Sequence, residues 1–206
     1  MTLDQLRPVA ERGLKPFVGV ADWLGLTPDG VSVLAFACAV VAGVAFGLDA
    51  PTAAPELYLA GSLLVLANGW LDLVDGALAR AQGVSSSGGD LLDHVLDRYA
   101  DIAMLVGLAA GVDRYALGLA AVTGVLMTSY LGTQIQAVGI GREYGGLLGR
   151  ADRLALIGVV GVAAAVVPGP LVAGYGVVAA LLVVFALVGH FTAVQRFWGA
   201  WRVLNE

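Results

Sequence analysis

The sequence is short of charge. Only 13% of its 206 residues are Asp, Glu, Lys or Arg, about half the share of an ordinary soluble domain. Lysine is nearly absent, Lys15 being the single example. One cysteine, Cys38, excludes an intramolecular disulfide and a thiolate metal site. The two histidines, His94 and His190, have no partner at ligand spacing. A basic excess is also missing: 11 Lys+Arg stand against 16 Asp+Glu, a net charge of −5, which speaks against nucleic acid as a partner. What the chain has instead is apolar surface. Hydrophobic residues make up 59%, with mean hydropathy +0.85. A soluble domain of this size cannot hide that much, and a disordered chain would not carry it. The class left is an all-α integral membrane protein with one domain over 1–206.

Uncharged stretches place the spans. About 20 apolar residues cross a bilayer. Residues 30–48 form one such run, and 115–141 another. The stretch 154–195 is too long for one span and is divided by Pro168-Gly169-Pro170. Six transmembrane helices are expected, near 30–48, 56–79, 90–111, 115–141, 152–167 and 171–195. Before them, Leu3, Leu6, Val9, Leu14, Phe17 and Val18 recur at helical spacing between Arg7, Arg12 and Lys15. This reads as an amphipathic helix on the membrane surface over 1–27. Residues 30–195 form the bundle, and 196–206 a tail. With six spans, ten of the eleven basic residues fall on one side, and Arg114 alone on the other. The bias places both termini in the cytoplasm. Trp23, Trp70, Trp198 and Trp201 then fall near the membrane interfaces.

The scarce charges are concentrated. Asp72 and Asp75 are spaced i,i+3 at the end of the second span, and Asp93 and Asp97 i,i+4 at the start of the third. Each pair shares a helix face. The Gly/Ser-rich connection 82–89 predicts antiparallel neighbouring helices whose acidic faces meet. Each carboxylate costs about 2.5–3.5 kcal/mol to insert on translocon scales, so four need compensation. Hard oxygen donors without His or Cys favour Mg²⁺, Mn²⁺ or Ca²⁺ over zinc. Gly76, Ala79 and Gly89 keep the helix surfaces small, and Arg80 adds a guanidinium suited to a diphosphate. Asn68, one turn before Asp72, faces the same way, and Asp101 continues the Asp93/Asp97 face by one more turn.

These residues form a pattern: Asp72-x-x-Asp75-Gly76-x-x-Ala79-Arg80, eight residues, then Gly89-x-x-x-Asp93-x-x-x-Asp97. It resembles the signature of the CDP-alcohol phosphotransferases at all eight positions. The resemblance implies an enzyme of phospholipid biosynthesis. Such an enzyme moves a phosphatidyl-type group from a CDP-linked lipid, CDP-archaeol or CDP-diacylglycerol, to an acceptor alcohol, releasing CMP. It further implies Asp72, Asp75, Asp93 and Asp97 as ligands of Mg²⁺ or Mn²⁺, two ions in number. Asp97 doubles as the general base. Asp72, Gly76, Ala79, Arg80 and Gly89 hold CDP, and the protein forms a homodimer.

A second basic cluster, Arg142, Arg150, Arg153 and Arg196, lies on the same side as the acids. Arginine forks suit phosphate oxygens, so an acceptor bearing its own phosphate accounts for them. The segments Gly149-Arg150-Ala151-Asp152-Arg153-Leu154, Leu96-Asp97-Arg98-Tyr99-Ala100-Asp101 and Gln195-Arg196 resemble the inositol-phosphate-using members of the family. Inositol phosphate is therefore the expected acceptor. Glycerol 3-phosphate is the nearest alternative with the same chemistry. A divalent-cation transporter is a distant one, set back by the position of the acids near one face and by the lack of a half-repeat.

Overall fold

A computed structural model describes residues 7–141, 147–167, 169–170 and 175–205, with side chains from residue 13 onward. These residues form seven helices: α1 (Arg7–Trp23), α2 (Pro28–Leu48), α3 (Pro55–Gln82), α4 (Ser87–Gly111), α5 (Tyr115–Ala137), α6 (Arg150–Val166) and α7 (Val177–Asn205). Local chemistry sets the boundaries. Thr27 caps α2, accepting from the Gly30 amide at 3.1 Å, and Pro28 opens the first turn. Gly83, at φ 67°, ends α3 in the left-handed conformation. Ser86 caps α4 through the Gly89 amide at 3.0 Å. Asp152 reaches back to the Gly149 amide at 2.8 Å to open α6.

The sequence boundaries hold to within a few residues except near α5 and α7. α5 stops at Ala137, short of the expected 141, because Gly139 and Gly141 take φ of 90° and 98°. α7 runs unbroken through the residues expected to leave the bundle as a tail, as far as Asn205. Among the described residues, four helices are by length and composition apolar and long enough to cross a membrane: α2, α3, α5 and α7. α4 carries Asp90, Asp93, Asp97, Arg98 and Asp101, and α6 has 17 residues. The outer surface is apolar: Val41, Val44, Leu63, Leu119, Val159 and Leu187 are all exposed. The chain is a multi-pass membrane protein.

The packing order is α2 on α4, α4 on α5, α5 on α7, α7 on α6, α6 on α3 and α3 on α2, which closes a ring. α4 also touches α7, and α1 lies against α3. Leu14 and Ala21 of α1 are buried with Val31, Val74 and Leu78. Leu3, Leu6 and the side chain of Val9, also expected on that apolar face, lie outside the described residues.

One expectation is corrected. The α3 and α4 helices are consecutive, yet among the described residues their backbones make no close approach, and α2 packs on both. Small residues explain why. Gly43 of α2 and Gly107 of α4 sit backbone to backbone, so a Cβ on Gly107 would land on the Gly43 carbonyl. Gly61 of α3 admits the Phe46 ring of α2, which a Cβ would approach to 2.6 Å. α2 therefore seals one side of the gap between the acidic segments of α3 and α4. Gly124 of α5 and Gly189 of α7 make the equivalent close contact across the ring.

Gly107→Ala is expected to cost about 1–3 kcal/mol by overpacking. The neighbouring Val106→Ala, on an exposed side chain, should cost less than about 0.5 kcal/mol. Reversible unfolding in detergent reads the difference.

Candidate active site between α2, α3, α4 and α6

The acids meet across the gap that α2 seals. Asp72 and Asp75 lie in the second half of α3, and Asp93 in the second turn of α4. Both segments flank the short 83–86 connection, which puts them at one end of the ring. Oxygens of Asp72, Asp75 and Asp93 all lie within 4.8 Å of one another. Three hard, anionic donors so close together suit a divalent cation. Without a counter-charge their repulsion would oppose folding of this end of the bundle.

The surrounding residues orient the cluster. Ser32 of α2 donates to Asp75 Oδ2 at 2.6 Å, and Asp75 is buried. Asn68 Nδ2 donates to the Ala35 carbonyl at 2.9 Å. Its buried Oδ1 has no partner among the described residues. Ser32, Ala35, Phe36, Asn68, Asp72, Asp93, Leu96, Asp97, Ala100 and Arg150 line one cleft inside the ring.

Asp97 lines this cleft but stands outside the three-carboxylate group. Its Oδ1 is 2.7 Å from Arg150 Nη2, and its Oδ2 is 3.4 Å from Arg98 Nη2. Arg150 also reaches Asp72 Oδ2, at 2.7 Å through Nη1. One guanidinium thus bridges the two acidic helices, α3 and α4, with the planar fork that arginine supplies and lysine does not. Arg98 donates its other terminal nitrogen to Ser129 of α5.

The expected diphosphate-binding residues sit beside the acids. Gly76 and Ala79 are half-buried on α3, and Arg80 is exposed in its last turn. Gly89 is half-buried at the start of α4; a Cβ there would come within 3.2 Å of Asp29 Oδ1. That close approach is a reason for glycine at this position.

The arginines read as one acceptor-phosphate cluster separate into different surroundings. Arg150 joins the acids. Arg153 is buried and paired with Asp101, Nη2 to Oδ2 at 2.8 Å. It lines a second cleft with Val125, Thr128, Leu148, Phe185 and Thr192. Arg196 donates to the Thr128 carbonyl at 2.5 Å, beside that second cleft. Arg142 lies outside the described residues.

Ser32 and Ser129 escaped the sequence reading. Ser32 did leave a signal, as the one hydroxyl in the otherwise apolar run 30–48. Ser129 left none, because its role depends on the α4–α5 contact.

A ring of membrane helices around a cluster of acids, with arginines on its inner face, defines a membrane enzyme that handles phosphate through a divalent metal. Comparison with known proteins gives the family: residues 25–204 match the CDP-alcohol phosphatidyltransferases, and the chain belongs to that family of transferases. It is 34% identical to the archaetidylinositol phosphate synthase of Methanothermobacter thermautotrophicus, over 98% of this chain and 96% of that one. It is 31% identical to the archaetidylinositol phosphate synthase of Pyrococcus horikoshii, over 75% of this chain and 79% of that one. Among solved structures it resembles the phosphatidylinositol phosphate synthase of Mycobacterium tuberculosis in complex with manganese and citrate. The TM-score is 0.76 and the identity 25%, over 91% of this chain and 88% of that one. The same synthase with CDP-DAG bound gives a TM-score of 0.74, over 92% of this chain and 94% of that one.

Ser32→Ala removes the bond that orients Asp75 and should weaken Mn²⁺ binding about tenfold, the usual size of an outer-shell loss. Titration of purified protein followed by electron paramagnetic resonance of free Mn²⁺ measures it.

Proposed function

We propose that the protein transfers the archaetidyl or phosphatidyl group of a CDP-linked lipid to a hydroxyl of inositol phosphate, releasing CMP. The observation that carries this reading is the convergence of Asp72, Asp75 and Asp93 beside Asp97, with a bridging arginine at 2.7 Å from two of the acids. The acceptor is supported by the two archaetidylinositol phosphate synthases that the chain resembles. Buried and half-buried arginines near a second cleft add to it.

Asp72, Asp75 and Asp93 hold the divalent metal, with Asp97 completing the set. When bound, the metal neutralises diphosphate charge and makes CMP a better leaving group. Gly76, Ala79 and Gly89 let the CDP moiety approach the helix backbones, and Arg80 pairs with its diphosphate. The acceptor hydroxyl loses its proton to a carboxylate oxygen of Asp97 as its oxygen attacks the lipid-bearing phosphorus. The bond from that phosphorus to the CMP oxygen breaks. Arg150 and Arg98 fix the orientation of the Asp97 carboxylate for this step. Arg142, Arg153 and Arg196 bind the phosphate of the acceptor.

The six ring helices α2 to α7 all span the bilayer in this reading, with α1 on its surface. α4 crosses because Asp93, Asp97 and Asp101 face the interior of the ring, and the 17 residues of α6 lie at the lower limit for a span. Ten basic residues on the site's side support a cytoplasmic active site and cytoplasmic termini. The working form is a homodimer.

Asp97→Asn tests the assignment. Transfer should fall by at least about a thousandfold, since the variant lacks the base, while CDP-lipid binding falls by no more than about tenfold, because the amide oxygen still serves as a metal donor. Turnover at the parent rate would remove Asp97 from this role.

A further inference from the structure

The interior of the ring is crossed by two parallel ion pairs. Asp97 and Asp101 lie one turn apart on α4, and Arg150 and Arg153 one turn apart on α6. The upper pair is Asp97–Arg150 at 2.7 Å and the lower is Asp101–Arg153 at 2.8 Å. Among the described residues α4 and α6 make no close backbone approach, so the side chains alone bridge the two walls. The two pairs face different spaces. Arg150 lines the cleft of the acid cluster, whereas Arg153 lines the second cleft between α5, α6 and α7.

The lower pair is the more enclosed, with side-chain exposures of 3% for Asp101 and 8% for Arg153. A pair so buried is a poor source of stability, because lost hydration offsets most of the attraction and an apolar pair of equal volume does as well. It makes sense where a cation is needed at depth. Among the described residues Arg153 is anchored through Nη2, and its buried Nε has no partner. The other interior acids are already engaged. Asp72 and Asp97 are held by Arg150 and Asp75 by Ser32, while Asp93 belongs to the three-carboxylate group. Asp101 is therefore the group that decides where Arg153 points.

We propose that Asp101 is a positioning residue for the acceptor: by holding Arg153 against the second cleft, it sets the affinity for the phosphate that the acceptor brings. Its carboxylate touches neither the three-acid group nor the diphosphate-binding residues. Its effect thus falls chiefly on the acceptor. The inference rests on Arg153 being an acceptor-binding residue, as stated under the proposed function.

Asp101→Asn, Arg153→Met and the double variant are assayed as purified enzyme with saturating Mg²⁺, the two substrates being varied in turn. Asp101→Asn should raise KM for inositol phosphate about ten- to hundredfold, the range for one charge-assisted hydrogen bond. KM for the CDP-lipid should stay within about twofold, since the pair makes no direct contact with the diphosphate-binding residues. Arg153→Met should do the same, and the double variant should be no worse than Arg153→Met. If Arg153→Met leaves the acceptor KM unchanged, the acceptor-site reading itself fails. If Arg153→Met raises it and Asp101→Asn does not, only the positioning role fails. A lowered Tm with unchanged acceptor KM makes the pair structural and overturns the inference. Should Asp101→Asn not fold, Asp101→Glu keeps the charge but displaces it by a methylene. A raised acceptor KM in that variant supports the role, and an unchanged one contradicts it.

Discussion

Carboxylates gathered in the interior of a lipid-embedded helix bundle are the constraint around which this protein is built. Each loses hydration on entering the ring, and each repels its neighbours. The structure answers with different devices at different depths. Asp75 takes a hydroxyl from Ser32, Asp72 and Asp97 share the fork of Arg150, and Asp101 has Arg153 to itself. The three-carboxylate group remains as the place where positive charge is still needed, and its oxygen donors select a hard divalent cation. Phosphate chemistry follows from that one imbalance.

Close helix contacts make the imbalance possible. A ring held by Gly43 on Gly107 and Gly124 on Gly189 needs few polar residues on its seams, such as Asn68 on the Ala35 carbonyl and Thr128 on the Gly189 carbonyl, because close backbone packing substitutes for the hydrophobic effect in lipid. Polar side chains are thereby released to the interior, and the apolar ones cover the outside. The same contacts put α2 against both α3 and α4, so the acidic helices meet through their side chains across a gap and not backbone to backbone. A substrate's diphosphate requires such a gap. Had α3 and α4 packed as a simple hairpin, their acids would have closed on themselves.

Much of this was legible in the sequence. The long uncharged runs placed most helices to within a few residues, α5 and α7 excepted, because length and hydropathy decide membrane segments. The i,i+3 and i,i+4 spacing of the acids gave their common faces, and the gapped motif gave the family. What spacing does not encode is which helices touch. The α3–α4 adjacency was expected from the short loop, yet small residues elsewhere drew α2 onto both. The same limit hid the split of the arginines. Arg150 and Arg153 are three residues apart and look alike in sequence, but one meets Asp72 and Asp97 while the other meets Asp101. These partners lie 52 to 78 residues away along the chain, and only the fold selects among them. Ser32 was overlooked for the same reason, its partner Asp75 being 43 residues away.

The central claim is that the acid cluster and the arginines form one site that joins a CDP-linked lipid to a phosphorylated polyol. CMP release by the purified, detergent-solubilised enzyme measures it most directly, with inositol phosphate, glycerol 3-phosphate or free inositol as acceptor, each with Mg²⁺ and with a chelator. The account predicts CMP release with inositol phosphate and Mg²⁺ together, and background levels with free inositol or with the chelator. Equal CMP release with free inositol, or release that survives chelation, would contradict it.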